Sequence, residues 1–261
     1  MKIDYYTEIK KRYGNIKRAR GYYIYTEKNI RLIDMYLDGG TSIAGRRTGQ
    51  AKLILKQKID KGLMLEMPTQ AEHQLKKVLN SIFPSHPQVR VFKSEKTAFD
   101  ICEKNYAFKT PEEILWRFCA GDKKAALLQR PCFVVKSCFP TDCGILIFNP
   151  DKMKIAPPKS DTIFSAELFA IVRSFHDIKY ASVQIQKNLQ TNIEPSFLSG
   201  LQKIWHQNGI YLTPKIAPEK YTELFIKALD SHIFISPNFY QPSVFPLLKT
   251  YTELKKFLNI F

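Results

Sequence analysis

Apolar residues recur along this chain with two periods, and the change of period marks its elements. Tyr22-Tyr23-Ile24-Tyr25 and Ile30-Arg31-Leu32-Ile33-Asp34 read as short strands on either side of a turn at Thr26–Asn29. Gly39-Gly40 and Gly45 then interrupt the chain. Over residues 50–61 the period lengthens to that of a helix, with Ala51, Ile54, Leu55 and Ile59 on one face and Gly62 just past the end. Pro68-Thr69 opens the next helix, where Thr69 and Glu72 form a capping box. Its stripe is Ala71, Leu75, Val78, Leu79 and Ile82, and Pro84 stops it. Val89–Phe92 is a short strand, and Ser94 caps a helix running to about Tyr106 with Ala98, Ile101 and Cys102 inward.

The middle is less regular. Glu112–Phe118 reads as helix, and the unbroken apolar runs Phe133–Val135 and Ile145–Phe148 read as strands buried on both faces. Pro150, Pro157 and Pro158 bracket a loop, and Ser165–Tyr180 carries Leu168, Phe169, Val172 and Phe175 on a helical stripe. Pro195 opens a helix predicted to reach Trp205 and to be ended by Gly209. Ile210–Leu212 and Ile233–Ile235 read as strands separated by a helix from Pro218, and Thr250 with Glu253 predicts a last capped helix. Helices and strands alternate throughout, which predicts an α/β or α+β fold.

Composition narrows the class. With 261 residues, 44% hydrophobic and 25% charged, the chain has material for a core and is not a disordered or collagen-like sequence. No apolar run is long enough for a membrane span, and Met1-Lys2-Ile3-Asp4 lacks the apolar centre of a signal peptide, so a cytoplasmic protein with no membrane partner is expected. The five cysteines include no CxxC, and Cys132, Cys138 and Cys143 fit no common zinc spacing. The five histidines are scattered, so free thiols in a reducing compartment and no metal site are expected. The formal charge is +16, and residues 1–61, with 15 Lys+Arg against six Asp+Glu, supply +9 of it. Such a region either attracts a polyanion or is simply a solvated surface. The sequence has no zinc finger, RNP signature or KH loop.

Two places carry candidate chemistry. Gly45-Arg46-Arg47-Thr48-Gly49-Gln50-Ala51-Lys52 fails the phosphate-loop spacing, having Gln50 where a lysine is required. Gly49 nevertheless precedes a helix whose N-terminus attracts anions, so Arg46, Arg47 and Gly49 form a candidate anion-binding set. The alternative is a turn whose arginines are solvated or face a dimer partner. Lys136 follows the strand Phe133–Val135, where desolvation would make its amine nucleophilic; the alternative is an ordinary surface lysine. There is no nucleophile elbow, HExxH or GxGxxG.

A series of motifs, taken in order, resembles class III aminotransferases, and glutamate-1-semialdehyde aminomutase among them. Arg20-Gly21-Tyr22-Tyr23-Ile24-Tyr25 is similar to that family's opening strand and Asn29–Asp34 to its hairpin return. Gly39–Gly45 resembles its glycine-rich turn, Lys61-Gly62-Leu63 with Pro68-Thr69 its "K-G…P-T", and residues 71–83 the helix that follows. Val89–Ser94 resembles the strand running into "S-G-T-E-A", Ile163–Leu168 echoes "T-F-S-G-N-P-L", and Gly209–Pro214 is similar to "G-V-Y-L-x-P". The resemblance implies a shortened, divergent fold-type-I pyridoxal-phosphate transferase, with a small α/β domain built from both chain ends and a reduced central sheet domain. The expected division is residues 1–62 as N-terminal arm and part of the small domain, 63–190 as the reduced cofactor-type domain and 191–261 as the rest of the small domain. It also implies a homodimer.

The departures from the family decide what function to expect. This chain is much shorter, and the motifs carrying the cofactor's aspartate and Schiff-base lysine have no counterpart here. Aligned on "S-G-T-E-A", it reads Ser94-Glu95-Lys96-Thr97-Ala98, so Ser94 is the candidate cofactor-binding residue while Glu95 stands where the phosphate needs a glycine. The expectation is a protein without pyridoxal-phosphate catalysis and without cofactor, acting as a binding or scaffold protein, with an active homologue or a polyanion as partner. The enzymatic alternative is an aminotransferase or aminomutase using pyridoxal 5'-phosphate with Lys136 as substitute anchor. A further alternative is a basic nucleic-acid or polyanion binder.

Overall fold

A computed structural model of the chain describes residues 3–46, 49–121, 123–191 and 195–258. The strands, in chain order, are β1 (Ile16–Arg20), β2 (Tyr23–Thr26), β3 (Arg31–Asp34), β4 (Gln88–Phe92), β5 (Leu115–Trp116), β6 (Cys132–Val135), β7 (Gly144–Phe148), β8 (Trp205–Asn208), β9 (Tyr211–Pro214), β10 (Ile233–Phe234) and β11 (Ser243–Val244). The chain divides into one unit of residues 1–48 with 182–261 and a second of residues 49–181. The sequence reading set these junctions at 62/63 and 190/191. The helix Ser165–Thr191 begins in the second unit and continues into the first.

The first unit joins both chain ends through one sheet, ordered β1-β2-β3-β10. The first three strands form an antiparallel meander, and β10 adds in parallel with Ile233 opposite Ile33. A second sheet, β11-β9-β8, is antiparallel. The helices Tyr5–Tyr13, Pro195–Ile204, Tyr221–Asp230 and Thr252–Leu258 bring apolar residues to a core that includes Leu32, Ile33, Trp205, Tyr221, Phe225 and Phe257. Tyr221, deep in this core, donates its hydroxyl to the Ser236 carbonyl at 2.7 Å, which removes the cost of burying an unpaired oxygen.

In the second unit the sheet order is β4-β7-β6-β5, with β5 parallel to β6 and the other pairs antiparallel. Every residue of β6 and β7 is buried, which is why both read as unbroken apolar runs. The helix Glu95–Asn105 lays Ala98, Ile101 and Cys102 on this sheet. Its close approach depends on Gly144, because a Cβ there would stand 2.7 Å from the Ser94 carbonyl oxygen and 2.9 Å from the Ala98 Cβ. Phe83, Trp116 and Phe133 pack edge to face beside it. All five cysteines are free thiols, and the Cys102 and Cys132 sulfurs lie 3.6 Å apart in the core. Among the described residues no helix is long and apolar enough to cross a membrane.

The chain is thus α/β, with a unit built from both ends and a reduced central sheet. Locally, several elements differ from the sequence reading. The helix from Pro195 stops at Ile204, and Trp205 begins β8 instead. Gly209, with φ +61°, is the first residue of the two-residue β8–β9 hairpin turn and not a helix cap. Glu112–Phe118 is helical only over Pro111–Ile114, since Leu115 and Trp116 pair with Val134 and Val135. The last helix starts at Thr252, two residues beyond Thr250. The helix Tyr5–Tyr13, whose N-cap Asp4 accepts from the Thr7 N–H at 3.2 Å, and the charged strand β1 were not anticipated.

His86 yields a pH prediction. Its ring is buried against Phe133, Nε2 donates to the Arg130 carbonyl at 2.8 Å, and Nδ1 lies 3.0 Å from the Ser85 hydroxyl. Burial pushes the imidazole below its ordinary range, against the pull of the Arg130 carbonyl. The unfolded chain therefore takes up this proton first, and stability is lost as pH falls below about 6.5. Thermal midpoints followed from neutral pH downward should fall through this window, and His86→Gln should flatten that dependence.

Candidate functional site

β4 delivers the chain to Ser94, the N-cap of the helix Glu95–Asn105, and β6 ends at Val135, so Lys136 emerges beside it. The Lys136 N–H donates to the Trp116 carbonyl at 2.9 Å, which fixes the strand end. Its Nζ lies 3.0 Å from Glu95 Oε1 and 3.3 Å from Oε2. Ser94, Glu95 and Lys136 line one open cavity of about 330 Å³, together with Lys93 and Lys96. A neighbouring cavity of about 300 Å³ shares Lys93, Thr141 and Asp142 with it. Lys93 is held from the rim by Glu66, at 2.8 Å. The structure thus brings together Ser94 and Lys136, two residues singled out separately in the sequence.

The start of this helix is where a cofactor phosphate would be received, and its first two N–H groups are already engaged. The Glu95 N–H donates to the Asp142 carbonyl at 2.8 Å, and the Lys96 N–H to Ser94 Oγ at 3.2 Å. A phosphate held by backbone amides needs such N–H groups free and the chain bare of side chains. Here Glu95 adds a carboxylate to the same cavity, its charge answered by Lys136. A Schiff base requires a free amine, whereas the Lys136 ammonium is engaged by both oxygens of Glu95. These residues do not fit pyridoxal phosphate.

The other candidate set is not brought together. Arg47 lies outside the described residues. Arg46 is directed inward: Nε donates to Asp34 at 2.6 Å and the two terminal nitrogens to Asp38 at 2.8 and 3.0 Å. Asp34 is fully buried, and its other oxygen accepts from the backbone of Tyr36 and Leu37. Burial pushes the Asp34 carboxyl up against the pull of Arg46, while Asp34 and Asp38 raise Arg46 despite its own burial. Gly49, with φ +74°, precedes the helix Ala51–Asp60, whose N–H groups already have an anion: Asp177 Oδ2 accepts from Gln50 at 2.6 Å and Ala51 at 3.1 Å. A Cβ at Gly49 would stand 2.5 Å from that oxygen. Arg46 and the Gly49 turn therefore draw their carboxylates from this chain.

Solved structures share this fold at low sequence identity. An ornithine aminotransferase of Plasmodium falciparum superposes with TM-score 0.64 at 12% identity, covering 100% of this chain and 97% of that one. An acetylornithine aminotransferase from Elizabethkingia anophelis gives 0.64 at 11%, covering 100% and 98%. A glutamate-1-semialdehyde aminomutase from Pseudomonas aeruginosa PAO1 gives 0.62 at 11%, covering 94% and 86%. The chain has the class III aminotransferase fold in a shortened form. No family model matches the sequence. It is 31% identical to an uncharacterized protein of Treponema pallidum (strain Nichols), over 97% of this chain and 95% of that one, and it belongs to the same family. A protein of Borreliella burgdorferi, also described as uncharacterized, is 26% identical over 94% and 89%.

Two variants test the internal carboxylates. Asp177→Ala leaves the start of the Ala51 helix uncapped and should lower stability by about 1–2 kcal/mol, read as a shift in the urea midpoint at unchanged slope. Arg46→Ala strands the buried Asp34 carboxylate and should cost about 3 kcal/mol or more by the same measurement.

Proposed function

We propose that this protein is a divergent aminotransferase-like protein that has left pyridoxal-phosphate catalysis and acts in the cytoplasm as a binding or scaffold protein. The observation that carries this reading is the start of the Glu95 helix, where the Glu95 and Lys96 N–H groups are donated inside the chain and Glu95 is paired to Lys136. A dianionic phosphate entering there would meet a carboxylate, and like charges about 4 Å apart cost about 1 kcal/mol in water and several in a drier site. A partner role, as a homodimer or beside an active homologue, is in keeping with the exposed apolar residues Leu53, Met64, Leu65 and Met67 of the second unit.

One observation favours a second reading: Lys136 lines the same cavity as Ser94. If Glu95 released it, Lys136 would be the amine available to anchor a cofactor. Incubation with pyridoxal 5'-phosphate followed by borohydride reduction and peptide mass analysis separates the two. The expected outcome is no saturable visible absorption and no reduced adduct confined to one lysine. A stoichiometric phosphopyridoxyl group on Lys136, lost in Lys136→Ala, would establish the enzymatic reading instead.

A further inference from the structure

The excess positive charge of the N-terminal region has a definite place in the fold. Pairing in the first sheet puts Arg18 opposite Tyr25, Tyr25 opposite Arg31 and Arg20 opposite Tyr23. Directly opposed residues share a face, so these five side chains stand on one side of the sheet, together with Ile33, which opposes Tyr23 and is buried there. Ala19, Ile24 and Leu32, opposed in the same way, turn to the other side, where Ile24 and Leu32 are buried. The Arg18 guanidinium lies over the Tyr25 ring at 4.4 Å, and Arg31 over Tyr23 at 4.4 Å. Arg31 also meets Glu253 at 3.1 Å. Arg18 and Arg20 are exposed, and among the described residues neither has a carboxylate within ion-pair range. β1 is the edge strand of the sheet.

We propose that this face of β1, β2 and β3 binds single-stranded nucleic acid, with bases stacking on the Arg18–Tyr25 and Arg31–Tyr23 pairs and phosphates meeting Arg18 and Arg20. Two properties favour that ligand over other polyanions. Guanidinium planes laid on aromatic rings offer flat cationic surfaces, which unpaired bases match and a closed duplex does not. An anionic membrane would draw on inserted apolar side chains, and Ile33, which shares this face opposite Tyr23, is buried and cannot insert. The face belongs to the first unit and does not use the cavity at Glu95, so it holds or fails independently of the loss of cofactor chemistry.

The test is fluorescence anisotropy with labelled oligo(dT), oligo(U) and a DNA duplex, using the whole protein. With two arginines on phosphates, the single-strand dissociation constant should rise about sevenfold between 50 and 200 mM salt. Arg18→Gln with Arg20→Gln should weaken binding about tenfold or more at the lower salt, with an unchanged thermal midpoint, and should remove most of the salt slope. Arg18→Lys with Arg20→Lys keeps the charge and loses the planes, so it should retain the slope but lose affinity severalfold; it decides the matter if the glutamine variant does not fold. The ratio of oligo(dT) to oligo(U) binding assigns DNA or RNA as the better ligand. No binding at the lower salt, equal binding of duplex, variants that bind as the parent does, or protein that sediments with phosphatidylserine vesicles while ignoring oligonucleotides would each overturn the proposal.

Discussion

A backbone N–H at the start of a helix needs an acceptor, and this chain supplies its own at both places where an external anion was to be expected. At Glu95–Lys96 the acceptors are the Asp142 carbonyl and Ser94 Oγ; at Gln50–Ala51 the acceptor is the Asp177 carboxylate. Both arrangements satisfy donors that would otherwise wait for water or a ligand. The first has the larger consequence, because the aminotransferase fold persists around it. The sheet β4-β7-β6-β5 and the Glu95 helix need only packing, whereas pyridoxal phosphate held at this helix would need open amides and a free lysine.

Arg46 performs the corresponding task in the first unit. Leu37, Asp38, Gly39 and Gly40 all have positive φ, from +46° to +85°, and for the two non-glycine residues this costs about 1–2 kcal/mol each. Asp34 accepts from the Tyr36 and Leu37 amides before the turn, Asp38 lies within it, and Arg46 ties both carboxylates together. Gly40 sits against the Tyr211 ring, where a Cβ would come within 2.9 Å. A left-handed turn persists only when its surroundings over-determine it, and this fork of ion pairs does so.

How much was legible in the sequence follows from which forces are local. β6 and β7 announce themselves because full burial demands apolar residues at every position. The Gln70–Asn80 helix was readable from its stripe and from Thr69, which caps it at the Ala71 N–H. β1 was not, because Ile-Lys-Arg-Ala-Arg is an exposed edge strand with no apolar alternation. The Tyr5–Tyr13 helix did carry a signal, Asp4 as cap with Ile9 and Tyr13 four apart and buried. β5, only two residues long, exists because of its ladder to β6 and has no local signature. The sequence marked Lys136, Ser94, Arg46 and Gly49 as charge-seeking positions. It was silent on what they meet, since Glu95 lies 41 residues from Lys136 and Asp177 lies 127 from Gln50.

The parallel pairing of Ile33 with Ile233 also orders events during synthesis. Residues 49–181 are contiguous, so that unit can assemble while the ribosome is still translating. The opening meander must wait with its β3 edge bare until some two hundred further residues have emerged and β10 arrives to cover it. An unpaired edge with buried-type side chains is a template for wrong partners, so in the nascent chain β3 is open to mispairing until β10 covers it.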